Sequence, residues 1–133
     1  MYKLVQSNID FYKCVGSSSD IPIGKSKSIS ITDMKSKKNI NLAIFNISGK
    51  FYAISDSCMH EGGPLSEGLL NEDIVTCPWH GWKYSVKNGK PPHKGGDSVN
   101  SYQVKVVDGK LYVNPSPSTI GKRVYKPPTA TQS

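Results

Sequence analysis

Apolar side chains recur at every second position in several short stretches of the chain, and this period is typical of β-strands. Residues 40–45 show this alternation and are followed, after Ser48-Gly49, by a second apolar strand at residues 51–54. Residues 102–106 also show it and are followed, after Asp108-Gly109, by a strand at residues 111–113. Both dipeptides are turn signals between strands. No window of about a dozen residues shows the repeat of an amphipathic helix. The pattern therefore predicts an all-β protein with an antiparallel β-sandwich base.

The rest of the chain divides into an insert and a tail. Residues 28–32 alternate as one more strand, and Asn88-Gly89 marks a hairpin that joins residues 82–86 to Pro91-Pro92. Residues 56–96 are rich in Gly and Pro and hold two of the three Cys and all three His. We expect this stretch to form a small subdomain inserted into the base, within one domain of residues 1–114. Residues 115–133, rich in Pro, Ser and Lys, are expected to form a partly mobile tail.

The chemistry of the insert is concentrated in four side chains, Cys58, His60, Cys77 and His80. They stand as Cys-Met-His and, after sixteen intervening residues, as Cys-Pro-Trp-His, so each box supplies one thiolate and one imidazole. Two thiolates and two imidazoles fit a [2Fe–2S] cluster in which histidines replace cysteines on one iron. They also fit zinc, although zinc pairs usually keep about two to four residues between ligands. The residues therefore predict a metal centre, with the cluster preferred over a structural zinc site.

The longer sequence around these ligands resembles the two cluster-binding boxes of Rieske-type ferredoxins. The first box is Cys-Met-His-Glu-Gly-Gly-Pro-Leu-Ser-Glu-Gly at residues 58–68, and the second is Cys-Pro-Trp-His-Gly-Trp at residues 77–82. The likeness extends over most of residues 10–114. It implies the Rieske iron–sulfur fold, in which a cluster-binding subdomain is inserted into the β-sandwich. It also implies one [2Fe–2S] cluster per chain, with Cys58 and Cys77 on the inner iron and His60 and His80 on the outer iron.

The resemblance also assigns supporting roles to residues near the boxes. Respiratory Rieske proteins carry a disulfide between the positions that here read Gly63 and Trp79, so this clamp is absent. Tyr84 stands where the family has a tyrosine that donates a hydrogen bond to a ligand sulfur, here that of Cys58. Trp82 replaces a serine donor, which implies a low-to-intermediate reduction potential.

Two further features surround the predicted cluster. Pro91 and Pro92 are expected to form a third loop that covers it, since proline stiffens a loop at little cost. Trp79 and Trp82 are expected to shield it from water or to pack the subdomain.

The function implied is that of a one-electron carrier between a reductase and an acceptor enzyme, both docking at the His60/His80 tip. The chain is not expected to be an enzyme itself, because the mononuclear iron site of ring-hydroxylating oxygenases needs two more histidines and only His93 remains. His93 is expected to be a surface residue. An alternative is a Rieske subunit of a larger reductase or oxygenase, since the chain also resembles the small subunit of assimilatory nitrite reductases.

Charge and composition limit other functions. The formal net charge is +7, but lysine outnumbers arginine sixteen to one and residues 56–96 have a balance of −1. Because arginine supplies most bidentate contacts to bases and phosphates, nucleic acid is not an expected partner. No apolar run is long enough to span a bilayer, so membrane insertion is not expected. We expect a cytoplasmic location. Cys14, outside the boxes, is expected to be a small buried apolar residue.

Overall fold

The computed structural model describes residues 11–33, 36–57, 63–79, 81–92 and 96–122, which form ten β-strands and two single-turn 3₁₀ helices. The strands are β1 (Lys13–Ser17), β2 (Ser26–Asp33), β3 (Lys38–Ile47), β4 (Lys50–Ser55), β5 (Leu69–Asn71), β6 (Ile74–Thr76), β7 (Lys83–Ser85), β8 (Ser101–Tyr102), β9 (Val104–Val107) and β10 (Lys110–Val113). The 3₁₀ helices are Ser18–Asp20 and Leu65–Glu67. All strand pairings are antiparallel, in sheets ordered β1-β10-β9, β2-β3-β4-β8 and β5-β6-β7. The predicted all-β antiparallel class is confirmed.

The four-stranded sheet is the middle layer of the protein, and both of its faces are buried. Along β3, Leu42 and Ile44 point to one side while Ala43 and Phe45 point to the other, and all four are fully buried. This follows from the two-residue period of a strand, which sends successive side chains to opposite faces. A sheet with two apolar faces is stable only when other parts of the protein cover both faces and shield them from water.

Two hydrophobic clusters fill the spaces on either side of the central sheet. The base cluster, on the side of the outer sheet β1-β10-β9, contains Ile21, Ile31, Leu42, Ile44, Ala53, Tyr102, Leu111 and Val113. The insert cluster, on the side of the sheet β5-β6-β7, contains Ala43, Phe45, Ile54, Leu65, Val75, Cys77, Tyr84, Val86 and Val99. The central sheet thus carries the inserted subdomain on one face and the rest of the sandwich on the other.

Two of the three turn signals identified in the sequence form hairpins between strands. Asn88-Gly89 instead forms a turn after β7 that no partner strand follows in residues 90–92, so that predicted hairpin is wrong. Ile47 pairs with Lys50 across Ser48-Gly49, whose φ angles of 53° and 95° lie in the left-handed region. Val107 pairs with Lys110 across Asp108-Gly109, with φ angles of 51° and 75°. Two successive residues at positive φ are typical of the tight turns that match strand twist.

One predicted strand is divided between two sheets. Tyr102 pairs with Ala53 in the central sheet, whereas Val104 pairs with Val113 in the outer sheet. The chain changes sheets at Gln103, whose carbonyl oxygen accepts a hydrogen bond from Asn114 N–H at 3.0 Å. Alternation of apolar residues continues through this corner, so the pattern does not reveal it.

Cys14 is exposed, and the expectation that it would be buried is wrong. It lies in β1, at one edge of the outer sheet, opposite Tyr112. The neighbouring Val15 packs against the base cluster instead. The register of β1 shifts between Cys14 and Gly16, which leaves Val15 as the extra residue of a bulge, so strand alternation alone does not set the direction of the Cys14 side chain.

The inserted subdomain contains a hairpin that the sequence analysis did not predict. β5 and β6 pair from Leu69 and Thr76 to Asn71 and Ile74, and Glu72 in the connecting turn has a φ angle of 57°. Each strand has only three residues, too few for a two-residue period to stand out. The available signal was the polar stretch at residues 71–73, which lies between the apolar pairs Leu69-Leu70 and Ile74-Val75.

Residues 118–122, here called the C-terminal strap, run antiparallel to residues 98–101. Isolated bridges join Ser98 to Lys122 and Ser101 to Thr119, and Gly121 N–H donates to the Asn100 side-chain oxygen at 2.6 Å. The strap therefore covers the segment through which the chain returns from the insert to β8. Among the described residues, no helix has the length and apolar character needed to cross a bilayer.

Candidate functional site

The second box forms the loop of the β6–β7 hairpin. Thr76 pairs with Lys83 at the end of the ladder, and the Lys83 ammonium donates to the Thr76 hydroxyl at 3.0 Å. Beyond this pair, Cys77 N–H donates to the Trp82 carbonyl at 2.7 Å, and Gly81 N–H donates to the Cys77 carbonyl at 3.1 Å. These bonds close the loop at its base, so the backbone of Cys77 is fixed by β-sheet pairing.

Cys77 is buried, with only 2% of its surface exposed, and belongs to the insert cluster. Its neighbours in that cluster are apolar residues of both the insert and the central sheet, which exclude water from its inner side. A buried cysteine is often only a small apolar residue. Because Cys77 is also the first residue of the second box, its sulfur is a candidate metal ligand as well.

Ser57 and Pro64, which flank residues 58–63 of the first box, form a neck just after β4. Ser57 and Pro64 form an isolated bridge, and Leu65, which is fully buried, begins the following 3₁₀ helix. The predicted ligands Cys58 and His60 lie between these points, outside the described residues. His80 and His93 also lie outside them. Of the four predicted ligands, the structure therefore places Cys77.

The two boxes meet where Gly63 packs against Cys77 and Trp79. A Cβ atom added to Gly63 would lie 2.7 Å from Cys77 Sγ and 3.0 Å from Trp79 Cγ. Because real Cβ atoms do not approach other atoms so closely, position 63 has no room for a side chain. Gly63 of the first box thus lies directly beside the sulfur of the second, an arrangement compatible with ligands divided between the two loops.

The same contact joins the two positions at which the disulfide clamp is absent. The positions that form the clamp in respiratory Rieske proteins are in contact here, but they carry a glycine and an indole ring. Trp79 covers Gly63 on one side, while 56% of its surface remains exposed. The glycine and the indole ring are therefore in van der Waals contact, with no covalent link between them.

The other predicted supporting residues surround the same loops. Tyr84 is fully buried in the insert cluster, and Trp82 is partly buried against it. Ser85 N–H donates to the Lys90 carbonyl at 2.7 Å, which brings the half-buried Pro91 and the exposed Pro92 alongside β7. The hydrogen bond from Tyr84 to the Cys58 sulfur involves a residue outside the described part of the chain and stays a prediction, as does the covering role of the prolines.

A buried carboxylate at the neck of the first box was not predicted from the sequence. Asp56 is 8% exposed and accepts a hydrogen bond from the Ser28 hydroxyl at 2.6 Å and from Ser66 N–H at 2.7 Å. An aspartate two residues before Cys58 was a visible signal. Its partner Ser28 lies in a strand far earlier in the chain and is identified only by the folded structure.

Comparisons with known proteins agree with this architecture. The family model for the Rieske [2Fe-2S] domain matches residues 11–112. The 3-phenylpropionate/cinnamic acid dioxygenase ferredoxin subunit of Shigella flexneri serotype 5b (strain 8401) is 33% identical over 97 residues, which cover 71% of this chain and 85% of that protein. Apoptosis-inducing factor 3 of Homo sapiens is 39% identical over 69 residues, which cover 51% of this chain but only 11% of that much longer protein.

A solved structure supports the same fold. A chain in the complex of reduced oxygenase and oxidized ferredoxin in carbazole 1,9a-dioxygenase superposes with a TM-score of 0.72 at 28% sequence identity. The match covers 81% of this chain and 96% of that chain. The Rieske-type β-sandwich with an inserted subdomain, expected from the two boxes, is therefore confirmed.

Proposed function

Because the chain belongs to the Rieske [2Fe–2S] domain family, we propose that it is a ferredoxin that carries single electrons from a reductase to an oxygenase-type acceptor. The family's [2Fe–2S] cluster, one per domain, supplies the one-electron chemistry. Support for the carrier role comes from relatives of similar size: the chain covers 85% of a dioxygenase ferredoxin subunit and 96% of a chain in an oxygenase–ferredoxin complex. We place it in the cytoplasm.

The contact between Gly63 and Cys77 is the observation that carries this proposal. The two boxes are separated in sequence by a complete hairpin, yet Gly63, the first described residue of the first box, abuts the sulfur of the second. Such convergence around a buried sulfur is unnecessary for a sandwich held by hydrophobic packing alone. It supports Cys58, His60, Cys77 and His80 as the ligand set.

The described residues also support a division between an inner and an outer side of the centre. Cys77 is buried among apolar side chains, which keep water from the thiolate side. Trp79, which precedes His80, is more than half exposed. We propose that partners dock at this outer side, where an exposed aromatic ring lies next to the imidazole ligand in sequence.

The near-neutral balance of the insert supports docking through shape and apolar contact more than through charge. Residues 56–96 carry a formal charge of −1, whereas the basic excess belongs to the rest of the chain. Long-range charge attraction is weakened by salt. We therefore expect electron-transfer rates with a partner to change little between low and physiological ionic strength.

Metal analysis and electron paramagnetic resonance test the proposal. Purified protein is expected to contain about two irons and two labile sulfides per chain, as a [2Fe–2S] centre requires. Reduction with dithionite is expected to give a signal whose average g value is below that of all-cysteine [2Fe–2S] proteins. Stoichiometric zinc in a colourless protein would instead establish the structural zinc site.

A pair of histidine variants provides the matched control. His80→Ala is expected to abolish the visible spectrum and the redox response, whereas His93→Ala, which removes the histidine outside the boxes, is expected to retain both. An unchanged spectrum and potential in His80→Ala would overturn the ligand assignment.

The alternative role as a fixed subunit is tested by purification from the native cell. A Rieske subunit of a larger reductase or oxygenase would elute with a partner at constant stoichiometry. A free carrier would elute alone and would show second-order electron transfer to added acceptor. The dioxygenase relative is itself called a ferredoxin subunit, so the measurement distinguishes a dissociable component from a permanent one.

A further inference from the structure

Asp56 occupies the junction between the central sheet and the first box. It follows the last residue of β4 and precedes Ser57, which pairs with Pro64 across the neck. Its backbone N–H donates to the Asn41 carbonyl on β3 at 2.9 Å, and its carbonyl accepts from Leu65 N–H at 3.0 Å. The main chain of this one residue therefore contacts both the sheet and the far end of the box.

The side chain of Asp56 makes a second set of links between the same parts. One carboxylate oxygen accepts from Ser66 N–H at 2.7 Å, and the other accepts from the hydroxyls of Ser28 at 2.6 Å and Ser66 at 3.0 Å. Hydrogen bonds to an ionised carboxylate are shorter and stronger than those between neutral groups. Asp56 is 8% exposed, whereas Ser28 is exposed and Ser66 is half-buried, so these bonds are partly buried.

The partners of Asp56 show what the network holds together. Ser28 belongs to β2, and Ser66 belongs to the 3₁₀ helix that ends the first box. The hydroxyl of Ser26, also on β2, donates to the Ser66 carbonyl at 2.7 Å and strengthens the same link. The beginning and the end of the loop are thus tied to each other and to the central sheet.

We infer that Asp56 is a positioning residue that closes the neck of the first box and thereby sets the retention of the cluster. This inference rests on the proposed function, because it assumes that residues 58–62 contribute ligands. Asp56 acts through Ser28 and Ser66 on the loop and is not itself a ligand. Without the carboxylate, the loop ends are held by the Ser57–Pro64 bridge, the backbone bonds and the bond from the Ser26 hydroxyl to the Ser66 carbonyl.

The rate of cluster loss from the purified holoprotein in excess chelator tests the role of Asp56. Ser28→Ala removes one donor to the carboxylate, and Asp56→Asn replaces the carboxylate with an amide that has a single acceptor oxygen. We expect about a tenfold faster decay of the visible absorbance for Ser28→Ala, the factor for one hydrogen bond to a charged group. We expect a larger acceleration for Asp56→Asn. If Asp56→Asn does not accumulate as folded protein, the rate of cluster loss from Ser28→Ala alone tests the role of Asp56.

Two controls match these variants. Ser30→Ala makes the same change one strand repeat beyond Ser28, at an exposed position, and Asp108→Asn removes an exposed carboxylate in the β9–β10 turn. Both controls are expected to lose the cluster at the wild-type rate.

Hydrogen exchange separates positioning from general stability. We expect the amides of Leu65 and Ser66 to exchange faster in Ser28→Ala, while those of Phe45 and Val75 in the insert cluster keep their protection. Equal loss of protection at all four amides would show that Ser28→Ala lowers only global stability, and this would overturn the positioning role.

The remaining outcomes distinguish this inference from the proposed function. A wild-type protein without iron would overturn the proposed function, and the role of Asp56 with it. A wild-type protein that holds its cluster, with Ser28→Ala and Asp56→Asn losing iron at the control rate, would overturn only the role of Asp56.

Discussion

Replacement of Gly63 by alanine is the most direct test of the contact between the two boxes. The added Cβ would lie 2.7 Å from Cys77 Sγ, whereas ordinary contacts begin at 3.4 Å, so the sulfur or the loop must move by about 0.7 Å. Overpacking of this kind in a closely packed site costs about 1–3 kcal/mol. Because Cys77 is a proposed ligand, displacement of its sulfur is expected to weaken cluster binding as well as the fold.

The assay compares Gly63→Ala with Gly109→Ala. Gly109 has a φ angle of 75° and nothing within 4 Å of an added Cβ, so alanine there introduces backbone strain without a collision. That strain costs about 1–2 kcal/mol. We expect Gly63→Ala to lose the visible spectrum in chelator at least about tenfold faster than wild type, since about 1.4 kcal/mol corresponds to one factor of ten. Gly109→Ala is expected to lower the free energy of unfolding but to retain the cluster at the wild-type rate.

A double variant identifies which neighbour matters. Trp79→Ala removes the ring atoms that would lie 3.0 and 3.1 Å from the new Cβ but leaves the sulfur at 2.7 Å. We therefore expect Gly63→Ala/Trp79→Ala to lose the cluster as fast as Gly63→Ala. Full recovery in the double variant would show that the ring and not the sulfur limits the space. Wild-type iron content, g values and decay rate in Gly63→Ala would refute the reasoning altogether.

Three further predictions test other parts of the protein. Tyr84→Phe is expected to lower the reduction potential by roughly 40–90 mV, the equivalent of about 1–2 kcal/mol for one hydrogen bond to a cluster sulfur, measured by spectroelectrochemistry; no shift or a rise would contradict the bond. Gly121→Ala is expected to lower the free energy of unfolding in denaturant by about 1–3 kcal/mol, because its Cβ would lie 2.7 Å from Val99 Cα, a backbone atom that cannot turn away. In native protein treated with N-ethylmaleimide, peptide mass spectrometry is expected to find label on the exposed Cys14 and none on the buried Cys77; label on both would contradict the placement of Cys77.

The parts of the fold predicted from the sequence are those with local signals. Alternation over residues 40–45, the turn at Ser48-Gly49 and the apolar return at residues 51–54 predicted the β3–β4 hairpin, because strand pattern and turn chemistry agree there. The corner at Gln103 and the short β5–β6 hairpin were missed, since neither interrupts or extends a local period. The exposure of Cys14 depended on which face of β1 packs against the base cluster. Contacts between distant parts of the chain decide this, and the local sequence does not show them.

In the candidate site, too, the features with local sequence signals were predicted and those that depend on distant residues were not. The boxes were recognised because metal ligands at fixed spacing are a local pattern, and the adjacency of Gly63 and Trp79 follows from the family resemblance. The bonds from Asp56 to Ser28 and Ser66 were not predicted, because a serine in an alternating strand carries no mark of its partner. Long-range polar contacts need the folded chain to be identified.

The position of the central sheet between two separate clusters has a consequence for protein engineering. Odd-numbered residues of β3 face the redox subdomain and even-numbered ones face the opposite layer. Libraries restricted to Leu42 and Ile44 therefore repack the base cluster and leave the side chains of the insert cluster unchanged. Libraries restricted to Ala43 and Phe45 repack the insert cluster with the side chains of the base cluster unchanged, so a single strand offers two independent sets of adjustable positions.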